Sequence, residues 1–533
     1  MATFSTLDLC IFIGYIVIIV GLGLWIGRRK KSEETSTDYF LAGNKLTWWA
    51  IGASLIAANI SAEQMIGMSG SGFKIGLGIA SYEWMAAITL ILVAKFIMPV
   101  FLKKKIYTMP QFLEQRFDGR VKTAMAAFWL VVYVFVNLTS ILYLGALALE
   151  NIMGIPMSYG IIGLACFAAA YSIYGGLKSV AWTDIIQVVL LIGGGLATTY
   201  IALNLVSDGN GIIAGLKDLL NGVTHDKFDM ILSKDNPNYK DLPGIGVIIG
   251  GLWIANISYW GFNQYIIQRS LAAKNLQEAQ KGMVFAGFLK LLIPIIVVIP
   301  GIAAFYLNSI GKIQMPVENG VINNDAAYPL LVNLLPAGIK GLAFAALTAA
   351  IVSSLASMLN STSTIFTLDI YKPYINKTAS EKKLVNVGRL TSLIALLIAI
   401  CTARPLLGNL DQAFQYIQEF TGFVSPGVCA IFLLGIFWKK MSPNAALWCA
   451  ILTFVFSTLF KVFLPSLPFM DRMGIVFLIL CVIAIIISYI DNKGKNDPKA
   501  ITINKSIFHT STSFNVWSII ITAIVAALYI IFW

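Results

Sequence analysis

The chain has 533 residues, of which 58% are hydrophobic and 12% are charged, and its 38 lysines and arginines outnumber its 26 aspartates and glutamates. This composition excludes an ordinary soluble domain and is typical of a chain whose main solvent is lipid. The net charge of +12 does not call for nucleic acid as a partner, because the cytoplasmic loops of membrane proteins collect Lys and Arg.

Apolar runs long enough to cross a hydrocarbon core of about 30 Å recur along the whole sequence. Because they are long continuous runs and not short alternating segments, they predict helices. The predicted fold class is therefore an all-α polytopic membrane protein. The fourteen candidate spans are 8–27, 47–70, 78–102, 123–150, 157–174, 181–206, 244–267, 282–306, 336–362, 386–403, 411–438, 443–466, 473–490 and 512–533.

The basic residues predict how these spans are oriented. With fourteen spans, most of the 38 lysines and arginines fall in loops on one side, including clusters at 28–31, 103–105 and 382–383. An excess of positive charge marks that side as cytoplasmic. Both termini are then outside, and we expect an integral protein of the cell membrane, the inner membrane of a bacterium.

Several patterns of soluble and enzymatic proteins are missing from the sequence. The six cysteines lie in or beside apolar spans, without the spacing of a disulfide framework or a metal site. The stretch "GGLKS" at 175–179 lacks the spacing of a nucleotide-binding Walker A loop. No nucleophile, base and orienting residue occur together. We expect neither an enzyme nor a chain that is itself an ATP-driven pump.

A tetrapeptide repeat falls at corresponding places in two spans. Ala-Asn-Ile-Ser occurs in "AANISAEQ" (57–64) and in "WIANISYW" (253–260), in the second and seventh spans. The copies are five spans apart in chain order, so the second enters the membrane from the opposite side, as in transporters built from inverted repeats. The nearby "GMSGSG" (67–72) and "YWGFN" (259–263) predict a break in each helix, which membranes tolerate where backbone lines a cavity. Helix packing through small and polar residues is the alternative.

Two charged side chains stand out most clearly within the predicted spans. They are Glu83 in "ASYEWMAAIT" and Lys290 in "GFLKLLIP". Ionisable residues at membrane depth are costly and mark substrate or ion pathways. Both are candidate binding residues.

Four longer stretches resemble a known family. "YSIYGGLKSVAWTDIIQ" (171–187), "YWGFNQYIIQRSLAAKNLQEAQKG" (259–282), "LTAAIVSSLASMLNSTSTIFTLDIY" (347–371) and "AFQYIQEFTGFVSPG" (413–427) are similar to the sodium/solute symporter family, most closely its bacterial sodium/galactose branch. The resemblance implies a LeuT-like core of five plus five inverted helices. The implied divisions are 1–46 (first peripheral helix and linker), 47–206 (first repeat), 207–243 (extracellular loop), 244–438 (second repeat) and 439–533 (three peripheral helices).

The resemblance also implies a sodium site between the first and eighth core helices. Its oxygen ligands, which suit a hard cation, would come from the carbonyls of Ala57, Ile60 and Ala350 and the hydroxyls of Ser353 and Ser354. The alternative is that these serines bond back to the preceding helical turn. Asp184 would guide sodium on its exit, or would be a solvated or capping residue.

A sugar site is implied next to the sodium site. The matching positions around the sugar are Gln64, Glu83, Asn256, Lys290 and Gln418. Tyr259 would stack on the sugar as the inner gate with Asn137 within reach of its hydroxyl, and Met68, Tyr82 and Phe414 would form the outer lid. A serine of the sugar-carrying members is replaced by Ala86, which removes one hydrogen bond, worth on the order of 1 kcal/mol.

These residues together predict sodium-coupled symport of a neutral hexose, galactose or glucose, by alternating access. The expected partners are the sugar, sodium and membrane lipid, with no nucleic acid and no obligatory protein partner. One alternative is a symporter of sialic acid, an amino acid, inositol or an anion. The other is a sodium-gated channel or sensor on the same fold.

Overall fold

A computed structural model describes residues 4–28, 35–318, 320–407 and 413–533. Arg29, Lys30 and Lys31, which contribute to the orientation prediction, lie outside these residues. The described chain is helical except for loops and one short hairpin of β1 (Val317–Glu318) and β2 (Val321–Ile322). Eleven of its helical segments are long and apolar enough to cross a membrane. The molecule is therefore a helical membrane protein, as the composition predicts.

The first half of the chain contains eleven α-helices. They are α1 (Thr6–Arg28), α2 (Ser36–Leu41), α3 (Trp48–Asn59), α4 (Ser69–Lys74), α5 (Ser81–Leu92), α6 (Met98–Lys103), α7 (Met109–Arg116), α8 (Gly119–Val132), α9 (Thr139–Met153), α10 (Met157–Val206) and α11 (Ile212–Gly222). Wider π-helical turns join α4 to the segment before it, α5 to α6, and α8 to α9, at Glu63–Met68, Val93–Ile97 and Tyr133–Leu138.

The second half continues in the same way. Its helices are α12 (Leu252–Ile257), α13 (Gln264–Leu271), α14 (Leu276–Ser309), α15 (Ala327–Asn333), α16 (Ile339–Ile365), α17 (Glu381–Leu407), α18 (Ala413–Gly422), α19 (Ser425–Phe437), α20 (Pro443–Phe463), α21 (Phe469–Asn492) and α22 (Thr512–Ile531). π-Helical turns flank α12 at Val247–Gly251 and Ser258–Phe262, and another extends α16 at Phe366–Ile375.

The first predicted helix break lies within the first Ala-Asn-Ile-Ser copy. Helix α3 ends at Asn59, and Ile60 is extended with φ −77° and ψ 104°. The chain re-enters helix because the side chain of Gln64 accepts from the backbone N–H of Ser61 at 3.1 Å, half of a capping box. The "GMSGSG" stretch, where the sequence favoured a break, is helical instead.

The second copy behaves differently from the first. Residues 255–258 stay helical, and the break comes five residues later at Asn263, with φ −87° and ψ 118°. The residue three positions after Ser258 is Gly261, which has no side chain with which to complete a capping box. Asn263 instead caps α13 by accepting from the N–H of Tyr265. The prediction of a break in "YWGFN" is therefore confirmed, and its alignment with the tetrapeptide is wrong.

Helix α10 is divided by a glycine and not by a loop. Gly176 has φ 58° and ψ −160°, and an added Cβ would lie 2.5 Å from the carbonyl oxygen of Tyr39. Only glycine adopts such a conformation without strain. The predicted spans 157–174 and 181–206 lie on either side of this residue.

Helix α16 lies at the centre of the bundle, packed against α1, α10 and α17. Its amino-terminal end is capped from α1, because Oδ1 of the buried Asp8 accepts from the N–H groups of Gly338 and Gly341, both at 2.7 Å. Carboxylates stabilise helix amino-termini through these free N–H groups and the helix dipole. The peripheral first helix thus anchors the helix that carries Ser353 and Ser354.

The two broken helices are joined by backbone at one end. The N–H of Leu46, just before α3, donates to Ala272 at 3.1 Å, and the N–H of Lys274 donates to Leu46 at 3.0 Å. This parallel pairing of Leu46 with Ala273, which we call the clasp, ties the start of the first broken segment to the end of the second.

Candidate functional site

A cavity of about 120 Å³ lies between the two broken helices. The predicted sugar-binding residues that line it are Gln64, Glu83, Asn256, Tyr259, Lys290 and Gln418, and the predicted gate residues that line it are Tyr82, Asn137 and Phe414. Ala86 lines the cavity as well. Met68 is buried in the turn beside Gly67 and does not line it. Residues from more than five helical segments, far apart in sequence, thus meet at one place.

A buried ion pair forms one wall of the cavity. Lys290 on α14 donates to Glu83 on α5 and to the side-chain oxygen of Asn59 at the first break. Its ammonium also lies 5.0 Å from the centre of the Trp260 ring. A buried charge is tolerated when it is paired and fully hydrogen-bonded, so these contacts explain how Lys290 is accommodated at membrane depth.

The re-entry turn of the first broken helix presents two further polar groups. Gln64 accepts from the N–H and the hydroxyl of Ser61, at 3.1 and 3.0 Å, which leaves its amide N–H groups for other partners. Glu63 accepts from the Ser140 hydroxyl at 2.6 Å. Glu63 is a cavity residue that the sequence reasoning missed, and its place directly beside Gln64 was the available signal.

A chain of hydroxyls closes the cavity on the Tyr259 side. The Asn59 amide donates to the Tyr259 hydroxyl at 2.9 Å, and that hydroxyl also bonds to Tyr265, which reaches the carbonyl of Ala58 at 3.4 Å. The Tyr259 hydroxyl is thus bonded to Asn59 and Tyr265, while Asn137, predicted to lie within its reach, lines the same cavity. The asparagine in the first tetrapeptide contacts both Tyr259 and Lys290.

The opposite end of the cavity is shut by aromatic rings. Tyr82 and Phe414 meet edge to face, with ring centres 5.3 Å apart. A Cβ added at Gly67 would lie 2.8 Å from the Cβ of Phe414, so this glycine lets α18 approach the first broken helix closely. The cavity is also lined along α9 and α8, from Ile141 to Phe128, a length of about 20 Å of helix.

Two polar atoms in the cavity wall have no hydrogen-bond partner among the residues that the structure describes. They are the hydroxyl of Tyr82 and the amide nitrogen of Asn256, both buried. Buried polar groups are almost always bonded, so these two atoms are available to bond to water or to a polar ligand.

The predicted sodium ligands are partly brought together. The Ser354 hydroxyl donates to the carbonyls of Ala58 at 2.8 Å and Ile60 at 3.4 Å, across to the first break. The Ser353 hydroxyl donates to Asp184. The alternative that these serines bond to the preceding turn is therefore wrong. Ala57 and Ala350 are buried in the same two helices.

Asp184 is fully buried, so its predicted solvated role is wrong. Its carboxylate accepts from Ser353 and Ser54 and lies 4.0 Å from the Arg269 guanidinium. Arg269, a buried cation that the sequence reasoning missed, donates to Ser54, Ser357 and the carbonyl of Tyr265. Carbonyl, hydroxyl and carboxylate oxygens are the ligands that a hard cation prefers, so this donor set fits sodium.

A family profile described as the Sodium:solute symporter family matches residues 39–453. The chain belongs to this family. It is 54% identical to the sodium/glucose cotransporter of Vibrio parahaemolyticus, over 99% of this chain and 98% of the relative. This symporter is also 34% identical to the mouse sodium/glucose cotransporter 4, over 83% of this chain and 67% of the relative. It is 32% identical to the human sodium/myo-inositol cotransporter 2, over 83% and 67%.

Solved structures share the fold of the symporter. A substrate-bound outward-open state of a Na⁺-coupled sialic acid symporter superposes with a TM-score of 0.80, at 25% identity, over 91% of this chain and 98% of the other. A nucleobase-cation-symport-1 family transporter superposes with a TM-score of 0.55 at 13% identity, over 89% and 99% of the two chains, a likeness of fold alone. The protein is thus a sodium-coupled solute symporter, and the predicted coupling ion is confirmed.

Proposed function

We propose that this symporter carries a neutral hexose, galactose or glucose, into the cell together with sodium. The observation that supports this most directly is the charge balance of the cavity. Lys290 is the one basic side chain among the described residues that line it, and Glu83 already neutralises it. The second acidic side chain of the cavity, Glu63, accepts from Ser140 and leaves no unpaired cation. A carboxylate substrate would want a free cation, whereas hydroxyls are served by a paired acid and base with several amides.

Each polar group has a role that follows from its donors and acceptors. Glu83 accepts from sugar hydroxyls and Lys290 donates to them, while Gln64, Asn256 and Gln418 do both. Tyr259 stacks on an apolar ring face, as aromatic side chains do. The unpaired amide nitrogen of Asn256 is its donor, and the unpaired Tyr82 hydroxyl supplies one more bond.

Sodium binds, in this proposal, where α16 faces the first helix break. The carbonyls of Ala57, Ile60 and Ala350 and the hydroxyls of Ser353 and Ser354 supply its oxygen ligands. The Ser354 hydroxyl already points at the Ile60 carbonyl, which supports this placement. Binding there fixes the broken segment and so prepares the adjacent sugar site. Asp184 and Ser353 mark the path by which sodium leaves.

Transport then proceeds by alternating access between two gates. Met68, Tyr82 and Phe414 close the outer side, and Tyr259 closes the inner side. One charge moving through about 100 mV is worth roughly 2.3 kcal/mol, and a tenfold sodium gradient adds about 1.4 kcal/mol. At one sodium per sugar, the sum of about 3.7 kcal/mol supports several-hundred-fold accumulation.

We further propose fourteen membrane crossings around a core of two inverted repeats of five helices. Both termini lie outside and the basic loops lie inside, in the inner membrane of a bacterium. The eleven long helical segments, the division of α10 at Gly176 and the two broken helices support this layout.

The test is uptake into proteoliposomes with and without an inward sodium gradient, using labelled galactose, glucose, myo-inositol and sialic acid. We expect sodium-driven accumulation of a hexose, abolished in K290A and retained in K312A, which removes an exposed lysine. Accumulation of inositol or sialic acid with the hexoses ignored would overturn the sugar assignment. Uptake without accumulation would favour a channel.

A further inference from the structure

A second and larger cavity lies at the membrane surface, away from the transport site. Its volume is about 760 Å³. It is bounded by the carboxyl-terminal ends of α6 and α13 and by the residues just before α14 and α22. Because three of the membrane-crossing segments begin or end there, at α6, α14 and α22, the cavity lies where hydrocarbon meets water.

The charges around this cavity are of one sign. Lys103, Lys105 and Lys274 line it, with the amide-bearing Asn44 and Asn275, and no aspartate or glutamate is among its lining residues. The three lysines are exposed and make no ion pair with any residue that the structure describes. Three unneutralised ammonium groups converge on one space, which complements an anion.

The remaining wall is apolar, and its backbone is fixed. Leu102, Ile106 and Ile507 face the same cavity, so a ligand with both a charged and an apolar part is accommodated. Lys105 has φ 53°, a left-handed conformation that non-glycine residues adopt rarely and that persists only where neighbouring structure holds it. The clasp residue Ala273 forms part of the floor.

We propose that this cavity binds the phosphate headgroup of an anionic phospholipid. The lysines contact the phosphate, and the acyl chains lie along the apolar wall toward the bilayer. Basic pockets between membrane helices attract such headgroups by about fivefold for each lysine near the surface. The occupant would rest against the clasp that joins the two broken helices.

The experiment titrates the purified full chain in detergent with dioleoylphosphatidylglycerol and counts bound lipid by native mass spectrometry. We expect saturable binding, with no comparable binding of dioleoylphosphatidylcholine. The variant K103Q/K105Q/K274Q should bind about a hundredfold more weakly, the product of the three lysines. The matched control K377Q/K382Q/K383Q removes the same charge from exposed lysines elsewhere and should bind normally.

Two results would overturn the proposal. Equal weakening in the site variant and the control would mean that surface charge in general attracts the lipid. Displacement of the lipid by inorganic phosphate would make the cavity a site for soluble anions. Single variants at Lys274 test the proposal if the triple variant fails to fold. K274R should bind the lipid as the native chain does, and K274Q should bind it about fivefold more weakly. Equal lipid binding by K274R and K274Q would contradict the lipid site.

Discussion

The hydroxyl of Ser354 on α16 donates to the carbonyl oxygen of Ile60, the residue at which the first broken helix leaves helical geometry. This contact joins the helix that carries the proposed sodium ligands to the segment that carries Gln64. An ion held between them would therefore act directly on the shape of the cavity that Gln64 lines.

We predict that S354A lowers the affinity for sodium and leaves the protein folded. Loss of one ligand oxygen removes a contact to a charged group worth about 1.5 kcal/mol, so the half-saturating sodium concentration should rise roughly tenfold. Hexose uptake measured against sodium concentration gives this value. S363A is the control, because Ser363 lies on the same helix and bonds only to its own turn, at Asn360. An unchanged sodium curve in S354A would place the ion elsewhere.

The ion pair of Lys290 and Glu83 predicts that one double variant will regain stability without regaining transport. K290M leaves Glu83 buried without its cation and should destabilise the protein by about 3–5 kcal/mol. The double variant K290M/E83L removes both charges and should recover most of that stability. Neither variant should carry sugar. Thermal unfolding in detergent and uptake in proteoliposomes measure the two properties, and a double variant no more stable than K290M would contradict the pairing.

Gly67 predicts a steric effect on the outer lid. In G67A the new methyl group would lie 2.8 Å from the Cβ of Phe414, and overpacking of this kind costs about 1–3 kcal/mol. In the proposed mechanism this contact belongs to the closed outer lid, so maximal uptake should fall by about tenfold while the protein still folds. G193A, which meets no atom within 4 Å, should transport normally. Normal uptake by G67A would mean that the lid does not close against this turn.

Lys227 in the loop after α11 predicts a pH effect on the end of the first broken helix. Its ammonium donates to the carbonyls of Phe73 and Lys74, at 2.9 and 2.6 Å, and lies 4.0 Å from the centre of the Phe305 ring. Burial lowers the pKa of Lys227 from 10.5 to about 8, against the opposing effect of Asp226. Between these values the unfolded chain binds a proton that the folded chain does not, so stability should rise with pH.

The measurement is thermal unfolding of the native chain and K227Q from pH 7 to 10.5. The native chain should gain stability over K227Q as the pH rises above about 8. K312Q, which removes an exposed lysine, is the charge-matched control. If the stability of the native chain relative to K227Q instead falls as the pH rises, the folded protein favours the charged form of Lys227.

Much of the fold and site could be predicted from sequence, and the parts that could not have local physical causes. The apolar runs predict the helices, and the cost of burying Glu83 and Lys290 marks them as site residues. The same tetrapeptide is broken in one copy and helical in the other, because Gln64 completes a cap after Ser61 and Gly261 does not after Ser258.

Other residues escaped prediction because their role depends on the packing of distant segments. Arg269 reads as an ordinary basic residue in a polar stretch, yet it is fully buried and bonds to Ser54 and Ser357. The Asn59 amide bonds to the Tyr259 hydroxyl because the helix break brings Asn59 beside that hydroxyl. Such partners depend on tertiary contacts, which spacing along one helix does not encode.

The clasp between Leu46 and Ala273 couples the two broken helices mechanically. Any tilt of the first broken segment at this face stretches the same two backbone bonds, at 3.0 and 3.1 Å, that hold the end of the second. In the proposed alternating access, these bonds would carry force from one broken segment to the other in addition to the contacts around the cavity. The extended residues Ile60 and Asn263, where helical bonding is interrupted, are where the two segments would bend.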